Sequence, residues 1–231
     1  MKKGEKMKRK LFVYAISTAV LFVCSINSMT FGRTSFRGEN IAAKDTFNNF
    51  EKSNVDKLPY GFTQTATGKL QNLNWKIIND NGNKVAAQLA KNEGDYYNLL
   101  VLDKLTYQDF TFTVKLKAVG GEEDQGGGLI WRYVDNNNYY IARCNPLEHN
   151  LRFYRVVNGN RKQLISVECD IKTGMWFTMT IEMKGNKISC SLNGTRMIET
   201  TDDTFKSSGY IGFWTKADAV TYFDDLTIHP Y

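Results

Sequence analysis

Three pairs of acidic residues have a spacing at which two carboxylates could cooperate in cleaving a glycosidic bond. The pairs are Glu93/Asp95, Glu122/Asp124 and Glu168/Asp170. Side chains two positions apart on a strand share a face, so one carboxylate could attack the sugar while the other protonates the leaving oxygen. Retaining glycosidases with a β-sandwich fold often use the longer pattern Glu-x-Asp-x-x-Glu, and each pair here lacks the third acid. Glu168/Asp170 is the pair predicted to lie on a strand, whereas Glu122/Asp124 is predicted to form a solvated loop tip.

The chain has only two histidines, which limits its acid–base and metal chemistry. A multi-histidine zinc site or a binuclear centre has too few ligands, so we expect neither a metal nor a cofactor. His229 lies close to the C-terminus, whereas His149 lies in a predicted turn at the end of a hairpin. His149 is therefore the better acid or base candidate. The sequence contains no nucleophile elbow, phosphate loop or Cys-x-x-Cys pair.

Residues 126–157 supply a different kind of candidate site, a polar face carried by neighbouring strands. A hairpin centred on Asn136-Asn137 places Arg132 opposite Ile141 and Ile130 opposite Arg143. The alternate residues of both strands are then mostly apolar and point to the opposite face of the sheet. The residues predicted for this face are Arg132, Tyr139, Arg143, Arg152 and Tyr154, with Trp214 added at the rim. Tyrosine rings can stack on a pyranose, and guanidinium groups can donate paired hydrogen bonds to hydroxyls or a carboxylate. The alternative is a solvated face whose arginines lie along the tyrosines.

The elements that would position these residues are strands. From Phe47 to the C-terminus, apolar and polar residues alternate with a period near two. Turn signals such as Asn158-Gly159 and Asn193-Gly194 separate the strand-like runs, because Asn-Gly readily adopts the positive φ of tight hairpin turns. The sequence shows no helix of four turns and no internal repeat. These features predict an all-β fold, a single antiparallel β-sandwich or jelly roll.

Residues 1–32 are predicted to be a secretory signal peptide, with a linker at 33–45 and the sandwich domain at 46–231. A basic stub precedes an uncharged, mostly apolar run from Leu11 to Ile26. This run is shorter than the roughly 20 residues that a spanning helix needs. An uncleaved anchor and lipid attachment at Cys24 are the alternatives. We therefore expect a secreted, periplasmic or cell-surface protein without a membrane span after processing.

The positive charge of the chain belongs mainly to its N-terminal segment. Six of the 30 Lys and Arg residues, but only one of the 24 acids, lie in residues 1–32. The remaining chain is close to neutral and lacks the broad basic field that nucleic-acid binding requires. Carbohydrate is the predicted partner, and nucleic acid is not. The oligomeric state is left open.

Several fragments, in their order along the chain, resemble the bacterial 3-keto-disaccharide hydrolases, a family also labelled laminin-G-like or family 16 glycoside hydrolase-like. The fragments include Phe47-x-x-Phe50-Glu51, Asn74-Trp75, residues 127–132 (GGLIWR), residues 209–218 (GYIGFWTKAD) and residues 223–226 (FDDL). The resemblance implies a secreted, concanavalin A-like sandwich that handles carbohydrate. It transfers no catalytic residues, because no defined catalytic positions match. The sequence thus predicts glycan recognition on one concave sheet. Hydrolysis or elimination of (keto-)disaccharides and noncatalytic adhesion or assembly are the alternatives.

Overall fold

The computed structural model of the protein describes residues 44–69 and 72–231. The regular secondary structure of these residues consists of strands, which confirms the predicted all-β class. The predicted signal peptide with Cys24, and residues 33–43 of the predicted linker, lie outside the described residues. Within the described ranges, no helix is long and apolar enough to cross a membrane.

The described residues form fifteen strands. In chain order they are β1 (Thr46–Asn48), β2 (Phe62–Thr67), β3 (Trp75–Asp80), β4 (Asn83–Gln88), β5 (Tyr97–Tyr107), β6 (Phe110–Gly120), β7 (Gly127–Asp135), β8 (Asn138–Asn145), β9 (Asn150–Val157), β10 (Asn160–Glu168), β11 (Trp176–Lys184), β12 (Lys187–Leu192), β13 (Thr195–Thr201), β14 (Gly209–Lys216) and β15 (Val220–Pro230).

The strands form two sheets, each antiparallel throughout. Sheet A has the order β13-β12-β11-β6-β15-β4-β3, with β1 paired to β15. Sheet B has the order β10-β9-β8-β7-β14-β5-β2. In sheet B, β7 pairs with its hairpin partner β8 on one side and with β14, which is distant in sequence, on the other. The chain therefore passes repeatedly between the sheets, as in the predicted jelly-roll sandwich.

The main core lies between the two sheets and is dominated by aromatic rings. Phe112 and Leu116 on sheet A and Phe213 on sheet B are fully buried in one cluster. The rings of Phe213 and Phe223 stack with centroids 4.5 Å apart and an interplanar angle of 6°. Removing each such ring from water stabilises the fold by about 1.5–3 kcal/mol, so this cluster holds the sheets together.

Sheet B also carries a second apolar cluster, on the face turned away from the core. Tyr140 and Phe153 point into the main core, whereas Tyr139, Ile141 and Trp214 belong to the second cluster. Strict alternation along the strands explains this division, because neighbouring residues point to opposite faces. The face that the sequence predicts to be polar therefore has an apolar floor.

A bulge in β7 changes the predicted register of the β7–β8 hairpin. At the turn, Asp135 lies opposite Asn138 as predicted, but farther along Ile130 lies opposite Ile141 rather than Arg143. The irregularity falls between Trp131 and Asp135, and it contains Arg132 with a φ of 49°. A shift of two residues keeps the faces of the regular strand unchanged. Only the bulged segment leaves the predicted pattern.

Candidate functional site

The outer face of sheet B, here called the concave face, curves around its own side chains. Arg161 lies on β10, five positions across the sheet from Tyr97 on β5. In a flat sheet these strands would be about 24 Å apart, farther than an arginine side chain can reach. The Arg161 guanidinium nevertheless lies 4.8 Å from the centroid of the Tyr97 ring. The sheet must therefore bend toward this face.

Gly128 leaves the floor of the concave face open between two large side chains. It pairs with Arg143 on one neighbouring strand and with Trp214 on the other. A Cβ atom at this position would lie 2.0 Å from the Ala142 carbonyl oxygen and 2.7 Å from the Cα of Arg143. Glycine therefore permits the close strand approach that brings Arg143 and Trp214 to the same hollow.

Arg161 is held over three aromatic rings. Its guanidinium carbon lies 4.7 Å from the Tyr154 ring centroid, 4.8 Å from Tyr97 and 5.8 Å from Trp214. The negative faces of such rings attract a cation and replace part of its hydration. The Nη1 atom of Arg161 is buried and has no hydrogen-bond partner. Among the residues that the structure describes, no acid lies within ion-pair distance of Arg161. We call these three rings the Arg161 seat.

A carboxylate joins the other two arginines of the concave face. The Glu148 Oε2 accepts from Arg143 Nη2 at 2.9 Å and from Arg152 Nη1 at 2.6 Å. Arg143 also donates to Asn150 Oδ1 at 2.8 Å and to the Tyr154 hydroxyl at 3.3 Å. Burial acts to raise the pKa of Glu148, but hydrogen bonds and charge from the arginines outweigh it and hold the pKa below its usual range. Glu148 is therefore ionised and fixes both guanidinium groups.

Asp124 is a buried carboxyl beside these arginines. Its Oδ1 accepts from Asn145 Nδ2 at 3.0 Å, and its Oδ2 lies 3.7 Å from Lys216 Nζ. Burial raises the pKa of Asp124, although Arg143 and Lys216 act in the opposite direction. The prediction of a solvated tip is therefore wrong for Asp124, which is 5% exposed and lies just before β7. Its position just before the glycine run is the sequence signal that could have identified it.

Asp218 holds the loop that contains Asp124. Its carboxylate accepts from the backbone N–H groups of Glu122 at 2.6 Å, Glu123 at 3.2 Å and Asp124 at 3.0 Å. Burial acts to raise the pKa of Asp218, but these donors outweigh it and lower the pKa. The loop is thereby fixed by one charged group from the strand connection after β14.

Two cavities open beside the concave face. One of about 550 Å³ lies next to the Arg161 seat and is lined by Thr67, Gly68, Asp95, Tyr97, Asn137, Asn158, Gly159, Asn160 and Arg161. The other, of about 560 Å³, is lined by residues that include Glu148, His149, Glu168 and Asp170. Both volumes fall within the range of small-ligand sites. The first is polar, with three asparagine side chains around one guanidinium.

The other sequence candidates have different surroundings. Glu168 and Asp170 are exposed, and Asp170 pairs with Lys172 at 2.5 Å. His229 lies on β15 of sheet A, where its Nδ1 is 3.3 Å from Asp45. His149 lines a cavity with Glu148, beside the arginines. Within residues 44–69 and 72–231, no group of three or more His, Cys, Asp or Glu side chains is arranged to hold a metal ion.

Five of the six predicted surface residues lie on the concave face. Glu148 links Arg143 to Arg152, and Arg143 donates to the Tyr154 hydroxyl. Arg161 lies over both Tyr154 and Trp214 and so connects Trp214 to this network. Tyr139 lies below, with its hydroxyl 2.7 Å from the Thr67 hydroxyl, and burial raises the pKa of Tyr139. Trp214 is 1% exposed. It therefore belongs to the floor of the face and not to its rim.

Arg132 does not lie on the concave face. Its side chain is 0% exposed, and Nη1 donates to the carbonyl oxygens of Lys206 at 2.9 Å and Ser207 at 2.6 Å. Its Nη2 donates to the Gly185 carbonyl at 3.4 Å and lies 3.6 Å from Asp109 Oδ1. The bulge directs this side chain to the loops at the end of the sandwich. The prediction that Arg132 shares a face with Arg143 is therefore corrected.

Several residues of the concave face escaped the sequence interpretation. They are Tyr97, Glu148, Arg161 and Lys216, together with the buried Asp124. Arg161 follows the Asn158-Gly159-Asn160 turn and pairs with Val156. Continuing the alternation of β9 through that turn would have placed Arg161 on the same face as Tyr154. The contacts to Tyr97 and Trp214 depend on the bending of the sheet, which no local pattern reveals.

Comparisons with known proteins agree with this architecture. The structure is similar to the carbohydrate binding module CBM66 from Bacillus subtilis, with 19% identity, a TM-score of 0.59 and coverage of 73% of this chain and 95% of that chain. It is also similar to the cellulose induced protein Cip1, with 11% identity, a TM-score of 0.61 and coverage of 80% and 97%. A third similar structure is a Bacillus licheniformis beta-glucanase, with 12% identity, a TM-score of 0.59 and coverage of 82% of this chain and 100% of that chain. These likenesses confirm the concanavalin A-like jelly-roll fold.

The sequence itself identifies the family. A search of curated proteins finds no match. The sequence profile of the 3-keto-alpha-glucoside-1,2-lyase-like domain matches residues 60–229, which is most of the chain and nearly all of the sandwich. The predicted resemblance is thereby confirmed, and the protein belongs to the 3-keto-alpha-glucoside-1,2-lyase-like family.

Proposed function

We propose that the protein recognises a glycan on the concave face of sheet B. The observation that carries this proposal is the Arg161 seat, the three rings that hold the Arg161 guanidinium at the edge of a polar cavity of about 550 Å³. Asparagine amides and a fixed guanidinium match the donors and acceptors of a sugar. Membership in a family named for a glucoside lyase, and a fold shared with a carbohydrate-binding module and a beta-glucanase, support the same chemistry.

In this proposal, the residues of the concave face divide into contacts and supports. Arg152, Arg161 and the exposed Asp95 are accessible enough to meet a ligand. Arg143, Tyr154 and Trp214 are buried, so they hold Glu148 and Arg161 in place. Tyr139 supports the floor. Pre-organised polar groups lower the entropy cost of binding. An extracellular or periplasmic location, expected from residues 1–32, is part of the same proposal.

Glycan-array binding followed by calorimetry tests the proposal. Wild-type protein is expected to bind a subset of oligosaccharides, and Arg152→Ala and Asp95→Ala should each weaken binding by about tenfold, as expected for a lost hydrogen bond to a charged group. The matched control is Arg196→Ala, an exposed arginine on sheet A. Failure of the wild type to bind any glycan would overturn the proposal. Equal binding by all four proteins would move the site away from this face.

A second candidate function is cleavage of a glycoside, and the pair Asp124 and Glu148 favours it. Both carboxyls interact with Arg143, yet the pKa of Asp124 is raised by burial while that of Glu148 is lowered by its partners. Two acids with opposite shifts can divide the roles of proton donor and carboxylate. Next to a keto group, elimination needs a base for the adjacent C–H proton and an acid for the leaving oxygen. Arg143 would stabilise the developing oxyanion.

The test of cleavage is incubation of the purified protein with 3-keto-disaccharides and with the unoxidised disaccharides. Cleavage predicts released monosaccharide from the keto forms and its loss in Asp124→Asn and Glu148→Gln. A variant of an exposed acid outside the face, Glu199→Gln, is the control and should retain the activity. Binding without product release from any disaccharide would leave glycan recognition as the function and exclude this chemistry.

A further inference from the structure

The acids around the Arg161 seat are already engaged by other cations. Glu148 bridges Arg143 and Arg152. Asp95 and Asp124 each lie 3.7 Å from the ammonium of Lys216. No acid of the described residues is left within ion-pair distance of Arg161. The seat therefore holds a cation that forms no ion pair with any acid of the described residues.

The hydrogen-bonding capacity of Arg161 is also incomplete. Its Nη1 is buried without an acceptor, although a buried donor left unpaired destabilises a fold. The rings of Tyr97, Tyr154 and Trp214 offer π faces, which attract the charge but accept no strong hydrogen bond. A planar guanidinium held by its face can still present N–H groups along its edge. Such an edge matches the two oxygens of a carboxylate.

The surroundings of the seat suit a sugar that carries this carboxylate. Arg161 lines the polar cavity with Asn137, Asn158 and Asn160, whose amides can meet ring hydroxyls. Asp95 lines the same cavity, but its charge is opposed by Lys216, whose ammonium lies 3.7 Å away. Asp95 is thus a second acceptor for sugar hydroxyls and leaves Arg161 free for the acid group.

We propose that the glycan is acidic and that Arg161 binds the carboxylate of a uronic acid unit in this cavity. This inference rests on the proposed glycan recognition and specifies its ligand class. The carboxylate would accept from the guanidinium N–H groups that face the cavity and would give Arg161 the ion-pair partner that the described residues lack. Charge-assisted bidentate pairs are roughly twice as strong as neutral hydrogen bonds, so the carboxylate form should bind about 10- to 100-fold more tightly than a neutral equivalent.

The experiment compares matched sugars by calorimetry. The probes are di- and trigalacturonate and oligosaccharides with glucuronate branches, each paired with its carboxyl-reduced, neutral counterpart. Wild-type protein should prefer the uronate member of at least one pair by tenfold or more. Arg161→Gln should abolish that preference. Lys162→Gln, an equal change of charge at the next, exposed residue of β10, should keep it.

The outcomes separate the ligand class from the function. Equal affinity for both members of every bound pair overturns the acidic ligand while glycan recognition stands. Absence of binding to every probe and to every glycan of the array overturns both proposals. The wild-type comparison needs no variant, so it decides the question even where Arg161→Gln unfolds. Arg161→Lys, which keeps the charge but loses the planar fork, should retain only part of the preference.

Discussion

Replacing Arg132 by alanine is expected to destabilise the sandwich and to leave glycan binding unchanged. The side chain is fully buried and donates two short hydrogen bonds to the carbonyls of Lys206 and Ser207, with a longer one to Gly185. Hydrogen bonds from a charged donor contribute about 1.5–3 kcal/mol each. The lost packing and the unpaired carbonyls are offset in part because a buried charge is removed. We therefore expect a loss of about 3–5 kcal/mol.

Urea denaturation measures this loss, and calorimetry with any bound glycan measures binding. For a domain of this size, the expected loss corresponds to a decrease in Tm of roughly 6–20 °C. Arg196→Ala, which removes an arginine with a 54% exposed side chain, should change the stability by less than about 0.5 kcal/mol. If Arg132→Ala instead kept the wild-type stability and weakened glycan binding, Arg132 would be a ligand contact and the structural role assigned to it would be refuted.

Three further predictions concern the floor and the entrance of the concave face. Gly128→Ala should cost about 2–4 kcal/mol in unfolding experiments, because its Cβ meets the Ala142 carbonyl at 2.0 Å; a neutral effect would contradict the close strand approach. Asp218→Asn should lower the free energy of unfolding at neutral pH and change it little at low pH. Folding lowers the pKa of Asp218, so its ionised carboxylate stabilises the fold above the pKa of the unfolded state, and this stabilisation disappears as the pH falls. Asp124→Asn should gain stability relative to wild type as the pH rises above about 4, because the raised pKa of Asp124 means that ionisation disfavours the folded state; parallel pH profiles would refute this.

The fold follows from local features of the sequence because a sandwich repeats them. Asn81, Asn158 and Asn193 each adopt a positive φ, as the Asn-Gly signals predict. Alternation also assigns the faces correctly: Leu129 and Phe153 point into the core, and Arg143 and Tyr154 point away from it. These properties depend on a period of two and on turn chemistry, both of which are visible in a short window.

The site was harder to predict because it depends on features without a local signature. The bulge at Arg132 lies against Gly209, whose added Cβ would lie 2.6 Å from the Arg132 Cα, and this glycine is far away in sequence. The bending of sheet B brings Arg161 to Tyr97 across five strand positions. Burial of Asp124 likewise depends on Asp218, which reaches its loop from another strand connection. Long-range contacts of this kind override local patterns.

One bulge decides the different roles of two arginines on adjacent strands. Without the bulge, regular alternation would place Arg132 on the same face as Ile130, and the concave face would carry a further cation. With it, Arg132 binds loop carbonyls at the end of the sandwich, while Arg143 stays on the face and is neutralised by Glu148. The face is thereby left with Arg161 as its unpaired guanidinium among the described residues. Because an extra unpaired cation would attract acids less selectively, the bulge restricts recognition to one fixed guanidinium edge.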